Sequence, residues 1–133
     1  MQATLRLSPG YAGMPPKASR VAWKFPPTCQ APIGPKSVDQ ALCIAVAHHL
    51  ADGELSRAFR EIARVVKRRL IFLDPLDCPR LMSRMLWSID RGSFPRSAEV
   101  LRKFLEESYV LEQAEVFTVL HRYFVCVATP KPV

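Results

Sequence analysis

The chain has 133 residues, of which 49% are apolar, and it carries a net charge of +7 with a pI near 9.6. This length accommodates one domain with a modest core, and the apolar content excludes a chain that is disordered throughout. The basic balance favours nucleic acid, an anionic membrane or an acidic protein surface as partner. No membrane span is evident, because the most apolar run, residues 41–51, contains two histidines and is shorter than the ~20 residues that a bilayer helix needs.

Residues 1–36 differ in composition from the rest of the chain. They hold seven of the twelve prolines and five basic residues, and no acidic residue precedes Asp39. Because prolines at this density prevent a continuous helix, we expect an extended arm. Such an arm serves either as an organelle-targeting segment or as an extension that lies over a larger assembly. Its expected contact residues are Arg6, Lys17, Arg20, Trp23 and Lys24.

Residues 37–127 have apolar residues at helical spacing with short connections between the periodic segments, and residues 128–133 form a tail. This pattern predicts an all-α domain of about five antiparallel helices, arranged as stacked helix-turn-helix pairs in a short α-solenoid. The predicted helices run from the N-cap Ser37 to Gly53, from Glu54 to Leu70, from the N-cap Asp77 to Gly92, from Ser93 to near Ser108, and from Val110 to Val127.

The segment Glu54–Leu70 has the clearest two-sided pattern. Apolar residues such as Leu55, Phe59 and Ile62 fall on one side of a helix. Cations fall on the other, and two glutamates oppose six basic residues in the segment. Cations spaced along a helix suit a phosphate backbone, although a solvated face has the same composition. The hypothesis is that RNA phosphates contact a basic stripe of Arg57, Arg60, Arg64, Lys67 and Arg68.

An internal repeat supports the helical interpretation. Gly53 and Gly92 are 39 residues apart, and six apolar positions coincide at that shift. Helix pairs that repeat every 34–47 residues or so are typical of α-solenoids, while an ordinary five-helix bundle is the alternative.

The segment 81–92 resembles the first helix of octotricopeptide and heptatricopeptide repeats. The matching positions are Leu86, Trp87, Ile89 and Gly92, and Ser88 stands where alanine is usual. The resemblance implies a role in organellar RNA metabolism or a place in an organellar ribosome.

No common catalytic motif or phosphate-binding loop occurs in the sequence. His48 and His49 are adjacent, so on a helix they point about 100° apart and cannot chelate one metal ion together. The four cysteines form no CxxC pair, and we interpret them as reduced thiols. The sequence therefore predicts no enzyme, no catalytic residue, no metal, no cofactor and no small-molecule substrate.

These features favour a structural subunit of an organellar ribonucleoprotein. The preferred candidate is the mitochondrial ribosome, which places the protein in the mitochondrial matrix. Its partners would be rRNA and neighbouring subunits. Two alternatives stay open at this point. One is a scaffold or assembly subunit of a protein-only complex such as a respiratory one, and the other is a free RNA-binding maturation factor.

Overall fold

The computed structural model describes residues 4–7, 33–89 and 94–132. Its elements in chain order are β1 Thr4–Leu7, β2 Val38–Ile44, α1 Asp52–Val65, β3 Val66–Pro75, α2 Leu81–Ile89, α3 Ala98–Glu106, β4 Tyr109–Thr118 and β5 Arg122–Pro130. A single turn of 3₁₀ helix, Ala47–His49, lies between β2 and α1. The strands form one sheet in the order β1-β2-β3-β5-β4. The protein is therefore α/β, and the prediction of an all-α helical-repeat domain is wrong.

The strand directions bring three chain segments to one edge of the sheet. β2 and β3 are parallel and are joined by α1, as parallel strands require a long crossover connection. β5 is antiparallel to both β3 and β4, so β4 runs in the same direction as β3. β1 adds an antiparallel edge strand beside β2. The carboxyl ends of β2, β3 and β4 therefore meet at the same edge, which we call the carboxyl edge.

The core lies between one face of the sheet and the helices α1 and α3. Alternate strand residues point to this face, because side chains in a strand have a period of two. Two buried rows cross the strands: Ala41 with Leu70 and Ala128, and Cys43 with Phe72 and Cys126. The helices cover them with Leu55, Phe59, Leu101 and Leu105. The buried Tyr109 hydroxyl donates a hydrogen bond to the Phe59 carbonyl at 3.0 Å and so joins β4 to α1.

The first predicted helix, Ser37–Gly53, is instead strand β2 followed by a loop. The helical spacing of Val38 and Leu42 is misleading, because the register of β2 shifts between Val38 and Gln40, so that Val38, Ala41 and Cys43 are buried while Leu42 is half-buried. Strands of a parallel pair also have near-continuous apolar runs that periodicity alone does not separate from a buried helix. Gly53, expected to end this helix, lies in the first turn of α1.

The second predicted helix, Glu54–Leu70, is correct only as far as Val65. Its expected apolar face is buried at Leu55, Phe59 and Ile62. The chain becomes extended at Val66, with φ −85° and ψ 134°, and continues as β3. No glycine or proline separates the helix from the strand. The adjacent β-branched residues Val65 and Val66 were the only local signal of the change.

The fifth predicted helix, Val110–Val127, is the hairpin of β4 and β5. Its turn contains no glycine, proline or asparagine, so the usual hairpin signal is missing. Buried and half-buried residues alternate strictly along β5 from Tyr123 to Pro130.

The third and fourth predicted helices are confirmed as α2 and α3, and the Ser97 hydroxyl accepts a hydrogen bond from the Val100 N–H at the start of α3. The expected packing face of α2 is exposed at Leu81, Met85 and Ile89.

In the described part of the chain no helix is long and apolar enough to cross a bilayer. The boundary of the proline-rich arm at residue 36 stays a prediction, and β1 lies within that segment.

Shortening a core side chain on α3 tests the packing of the helix on the sheet. We expect Leu105→Ala to lower the free energy of unfolding by about 2–5 kcal/mol, because Leu105 is fully buried. The control Val100→Ala on the same helix should cost less than about 0.5 kcal/mol, since Val100 is exposed. Urea unfolding followed by circular dichroism measures both, and equal losses would contradict this packing.

Alkaline pH should destabilise the fold through a buried thiol. Burial, assisted by the Asp74 carboxylate, raises the pKa of Cys43 from 9.0 to about 12. Between these two values the unfolded chain releases the proton and the folded chain keeps it, so stability falls as pH rises. We expect the stability difference between wild type and Cys43→Ala to shrink by about 1.4 kcal/mol per pH unit above pH 9. Urea titrations at pH 8 and pH 10 measure this change, and a constant difference would refute it.

Candidate functional site

The carboxyl edge gathers two loops around the ends of parallel strands. Residues 45–51 follow β2, and residues 76–80 follow β3. In open α/β sheets, ligands bind in the crevice outside the carboxyl ends of the strands, at the point where strand order reverses. From β2 the chain proceeds through β3 toward the far edge of the sheet, so the loop after β2 borders the crevice that this rule identifies. We therefore treat this edge as the candidate site.

A buried carboxylate joins the two loops. Asp74, at the end of β3, is 1% exposed. Its side-chain oxygens accept hydrogen bonds from the backbone N–H groups of Ala47 and His48, each at 3.1 Å. The same carboxylate lies 3.0 Å from Nδ1 of His48. A buried carboxylate is costly unless its oxygens are paired, so these three contacts keep it in place and define the conformation of the loop.

The Asp74 carboxylate also orients the His48 ring, which is 2% exposed. An ionised carboxylate only accepts hydrogen bonds, so the contact assigns the ring proton to Nδ1. A carboxylate that fixes the tautomer of a histidine is the arrangement used to orient a general base. The pair thus fixes both the tautomer and the orientation of the buried ring.

Two further features fix the loop after β2. Ala45 has φ 53°, a left-handed conformation that an alanine adopts only at a cost, and its N–H donates to the Leu73 carbonyl at 2.8 Å. The buried Arg96 guanidinium donates to the carbonyls of Ala47 and Leu50 at 2.8 and 2.6 Å. It also pairs with Asp52 at 2.7 Å. The backbone of the site is therefore held rigidly from both sides.

Aromatic rings extend from the loop toward the β4–β5 hairpin. The His48 ring contacts His49 at 4.1 Å and Trp87 of α2 at 5.3 Å between centroids. Trp87 contacts His121 of the hairpin turn at 5.7 Å, and the His121 Nδ1 lies 3.0 Å from the Ser83 hydroxyl. The buried Nε1 of Trp87 has no hydrogen-bond partner among the described residues. An unsatisfied buried donor is costly, so this indole N–H is suited to an acceptor atom of a ligand.

None of the residues predicted to bind RNA phosphates lies in this site. Arg57, Arg60 and Arg64 are on α1. Lys67 and Arg68 are exposed on β3, because the helix ends before them, and this interrupts the predicted stripe. Arg64 is committed to Glu61 at 2.6 Å and to the Ile33 carbonyl at 2.8 Å. The hydrogen bonds that Arg64 donates to the Glu61 carboxylate raise the pKa of Arg64.

Of the predicted arm contacts, Arg6 lies in β1 opposite Gln40 of β2. Lys17, Arg20, Trp23 and Lys24 lie outside the described residues. Sequence reasoning missed Asp74 and His48, because Asp74 fell between the second and third predicted helices and His48 fell within the first. An acidic residue directly after one apolar run and a histidine shortly after another were the available signals.

Within residues 33–89 and 94–132, no cluster of three or more His, Cys, Asp or Glu side chains is placed to hold a metal ion.

Known proteins with a similar sequence or fold were found by comparison. The family described as "Methyltransferase domain" matches residues 18–73, a range that includes β2, α1 and most of β3. No curated protein matches the chain. Among solved structures, a Pyrococcus horikoshii protein is similar at 19% identity with a TM-score of 0.61, covering 77% of this chain and 56% of that one.

Two further similar structures are of methyltransferases. A SAM (S-adenosylmethionine) dependent methyltransferase from Aquifex aeolicus is 19% identical, with a TM-score of 0.59, and covers 86% of this chain and 56% of its own. Magnesium protoporphyrin IX methyltransferase from Synechocystis, solved with bound SAH (S-adenosylhomocysteine), is 19% identical with a TM-score of 0.55. The match covers 75% of this chain and 48% of that one. The chain thus spans about half the length of these structures. It has the Rossmann-like methyltransferase fold.

These matches correct the functional predictions. The resemblance to octotricopeptide and heptatricopeptide repeats is wrong, since Leu86, Trp87 and Ile89 lie on a single helix of an α/β protein and no helical-repeat family matches. The hypothesis of a mitochondrial ribosomal subunit is overturned by the methyltransferase matches, together with its protein-only scaffold and RNA-factor alternatives. Several of the similar structures are methyltransferases with bound SAM or SAH. This finding overturns the predictions that the protein is no enzyme, that rRNA is its partner and that it has no small-molecule substrate.

Replacing the buried carboxylate tests the geometry of the loop. We expect Asp74→Asn to lower the free energy of unfolding by about 1–3 kcal/mol, because an amide cannot accept from all three donors and directs its own NH₂ at some of them. The proton of His48 should also move from Nδ1, which nitrogen–proton NMR correlations detect. The matched control is Asp77→Asn, at an exposed carboxylate three residues on. If the two variants behave alike, Asp74 does not organise the loop.

Proposed function

We propose that this chain contributes to a SAM-dependent methyltransferase and that its described residues form the part of the domain beside the acceptor substrate. The observation that carries the proposal is the sheet order, with parallel β2 and β3 and the antiparallel β5 inserted between β3 and β4. The match to a methyltransferase family over residues 18–73 supports it. Neighbours with bound SAH support it as well.

The residues of this chain fit one wall of a cofactor site. Rossmann-type sites use a glycine-rich turn after a strand and an acidic residue about 20 positions on for the ribose. No Gly-x-Gly occurs in the sequence, and none of the described strands is followed by a glycine-rich turn. The loop 45–51, fixed by Asp74 and Arg96, borders the crevice on the β2 side. Polypeptide other than the described residues therefore completes the site in this proposal.

The chemistry divides between the methyl donor and the protein. SAM, when bound, supplies an electrophilic methyl group. The Asp74–His48 pair fixes the conformation of the loop 45–51, which borders the crevice for the acceptor substrate. The mitochondrial matrix, predicted from residues 1–36, is retained as the proposed location.

The first experiment is calorimetric titration of the full chain with SAH, and with NADH as a competing Rossmann ligand. Because the described residues supply only one wall of the site, we expect weak but saturable binding of SAH, with a dissociation constant of about 1 mM or below, and at least about tenfold weaker binding of NADH. Asp74→Asn should weaken SAH binding about tenfold, since the loop loses the acceptor of two of its backbone N–H groups. The control Glu115→Gln, at an exposed carboxylate within β4 and outside both loops, should leave it unchanged. Preference for NADH, or no nucleoside binding at millimolar concentration, would overturn the proposal for this chain.

A further inference from the structure

A second concave surface lies at the opposite edge of the sheet, where β2 begins and where α1 and α3 end. This basic cleft has a volume of about 640 Å³, within the range of roughly 300–1,000 Å³ that is typical of small-molecule sites. Its lining consists of Pro35, Lys36, Arg60, Ala63, Arg64, Glu107, Ser108, Lys131 and Pro132. None of these residues belongs to the carboxyl edge, so the basic cleft is independent of the proposed methyltransferase site.

The basic cleft has an excess of positive charge. Its lining includes four cationic side chains and one carboxylate, that of Glu107. Glu107 accepts a hydrogen bond from the Ser56 hydroxyl at 2.9 Å, and Arg64 is paired with Glu61 outside the lining. Even when Glu61 is included, four cations face two carboxylates. The excess of positive charge that remains in this concave surface favours an anion.

Two of the cations are fixed by the ends of the helices. The Lys36 ammonium donates to the carbonyls of Ala63 and Val66 at 3.0 and 3.1 Å, at the end of α1. The Lys131 ammonium donates to the Glu106 carbonyl at 2.6 Å, at the end of α3. Lysines stabilise helix carboxyl termini in this way. An ammonium has three donors, so Lys36 keeps one donor and Lys131 keeps two for another acceptor, from positions that are already ordered.

The fourth cation, Arg60, makes no hydrogen bond or ion pair with another described residue. It lies one helical turn before Arg64 and is exposed. Arg64 uses its guanidinium for Glu61 and for the Ile33 carbonyl, whereas none of the hydrogen bonds or ion pairs among the described residues involves Arg60. A guanidinium offers five N–H donors in a planar fork that matches a carboxylate or a phosphate. Arg60 is therefore the group with the most donors left for a ligand.

The remaining walls are apolar. Pro35, Ala63 and Pro132 present no charged group, and the stems of the long basic side chains are aliphatic. Ligand sites combine mostly apolar walls with a few placed polar groups. We propose that the basic cleft binds a small organic anion, with an apolar body against the prolines and Ala63 and a carboxylate or phosphate head on Arg60, Lys36 and Lys131.

The experiment titrates the full chain with 1-naphthyl phosphate and with 1-naphthoate, which carry the two head groups on one apolar body. Inorganic phosphate and uncharged 1-naphthol serve as partial ligands. We expect saturable binding of at least one naphthyl anion, and the tighter of the two identifies the head group. Each partial ligand should bind at least about tenfold more weakly, because it lacks either the body or the charge.

Variants locate the binding. Arg60→Ala should weaken the naphthyl anion about tenfold, the loss expected for one charge-assisted contact. Arg68→Ala, at an exposed arginine outside the basic cleft, should have no effect, and both variants should unfold at the same urea concentration as wild type. The proposal is overturned if the two variants weaken binding equally, if inorganic phosphate binds as well as naphthyl phosphate, or if a short RNA displaces the ligand with a steep salt dependence.

Discussion

The buried Asp74 carboxylate is the interaction on which the carboxyl edge depends. It ends β3 and at the same time accepts the N–H groups of Ala47 and His48 in the loop after β2. Because it is buried, its negative charge is tolerable only while those donors stay in place. The loop and the strand end therefore constrain one another. The His48 ring, held through Nδ1, takes its orientation from the same carboxylate.

The helices α2 and α3 and the apolar side of α1 were predictable from the sequence, because the helical period and the capping signals are local. The strands were not. In β2, a shift of register between Val38 and Gln40 breaks the strand period, so that the apolar residues keep a helical spacing. The helix α1 passes into β3 at Val66 with no breaking residue. The hairpin turn before Arg122 likewise has no glycine or proline. In each case the pairing partner across the sheet, which is distant in sequence, decided the structure.

The candidate site was hidden for a related reason. Asp74 and His48 are 26 residues apart in sequence, and neither belongs to a motif that spacing alone identifies. They meet because parallel strands place their carboxyl ends at one edge of the sheet. Once β2 and β3 are recognised as parallel neighbours, the same two apolar runs predict the meeting of the residues that follow them. The error in fold class therefore led directly to the error in function.

The basic composition of the chain also acquires a different meaning. As a single amphipathic helix, Arg57 to Arg68 forms one long stripe suited to a polyanion. In the folded chain the stripe is interrupted at Val66, and Arg64 is neutralised by Glu61. Arg60 instead faces a cleft shared with Lys36 and Lys131, residues remote from it in sequence. A cluster of cations from three chain segments around an open cleft suits a compact anion, whereas an extended backbone needs charges along a line. Net charge indicates that an anion is favoured, but only the tertiary arrangement indicates its shape.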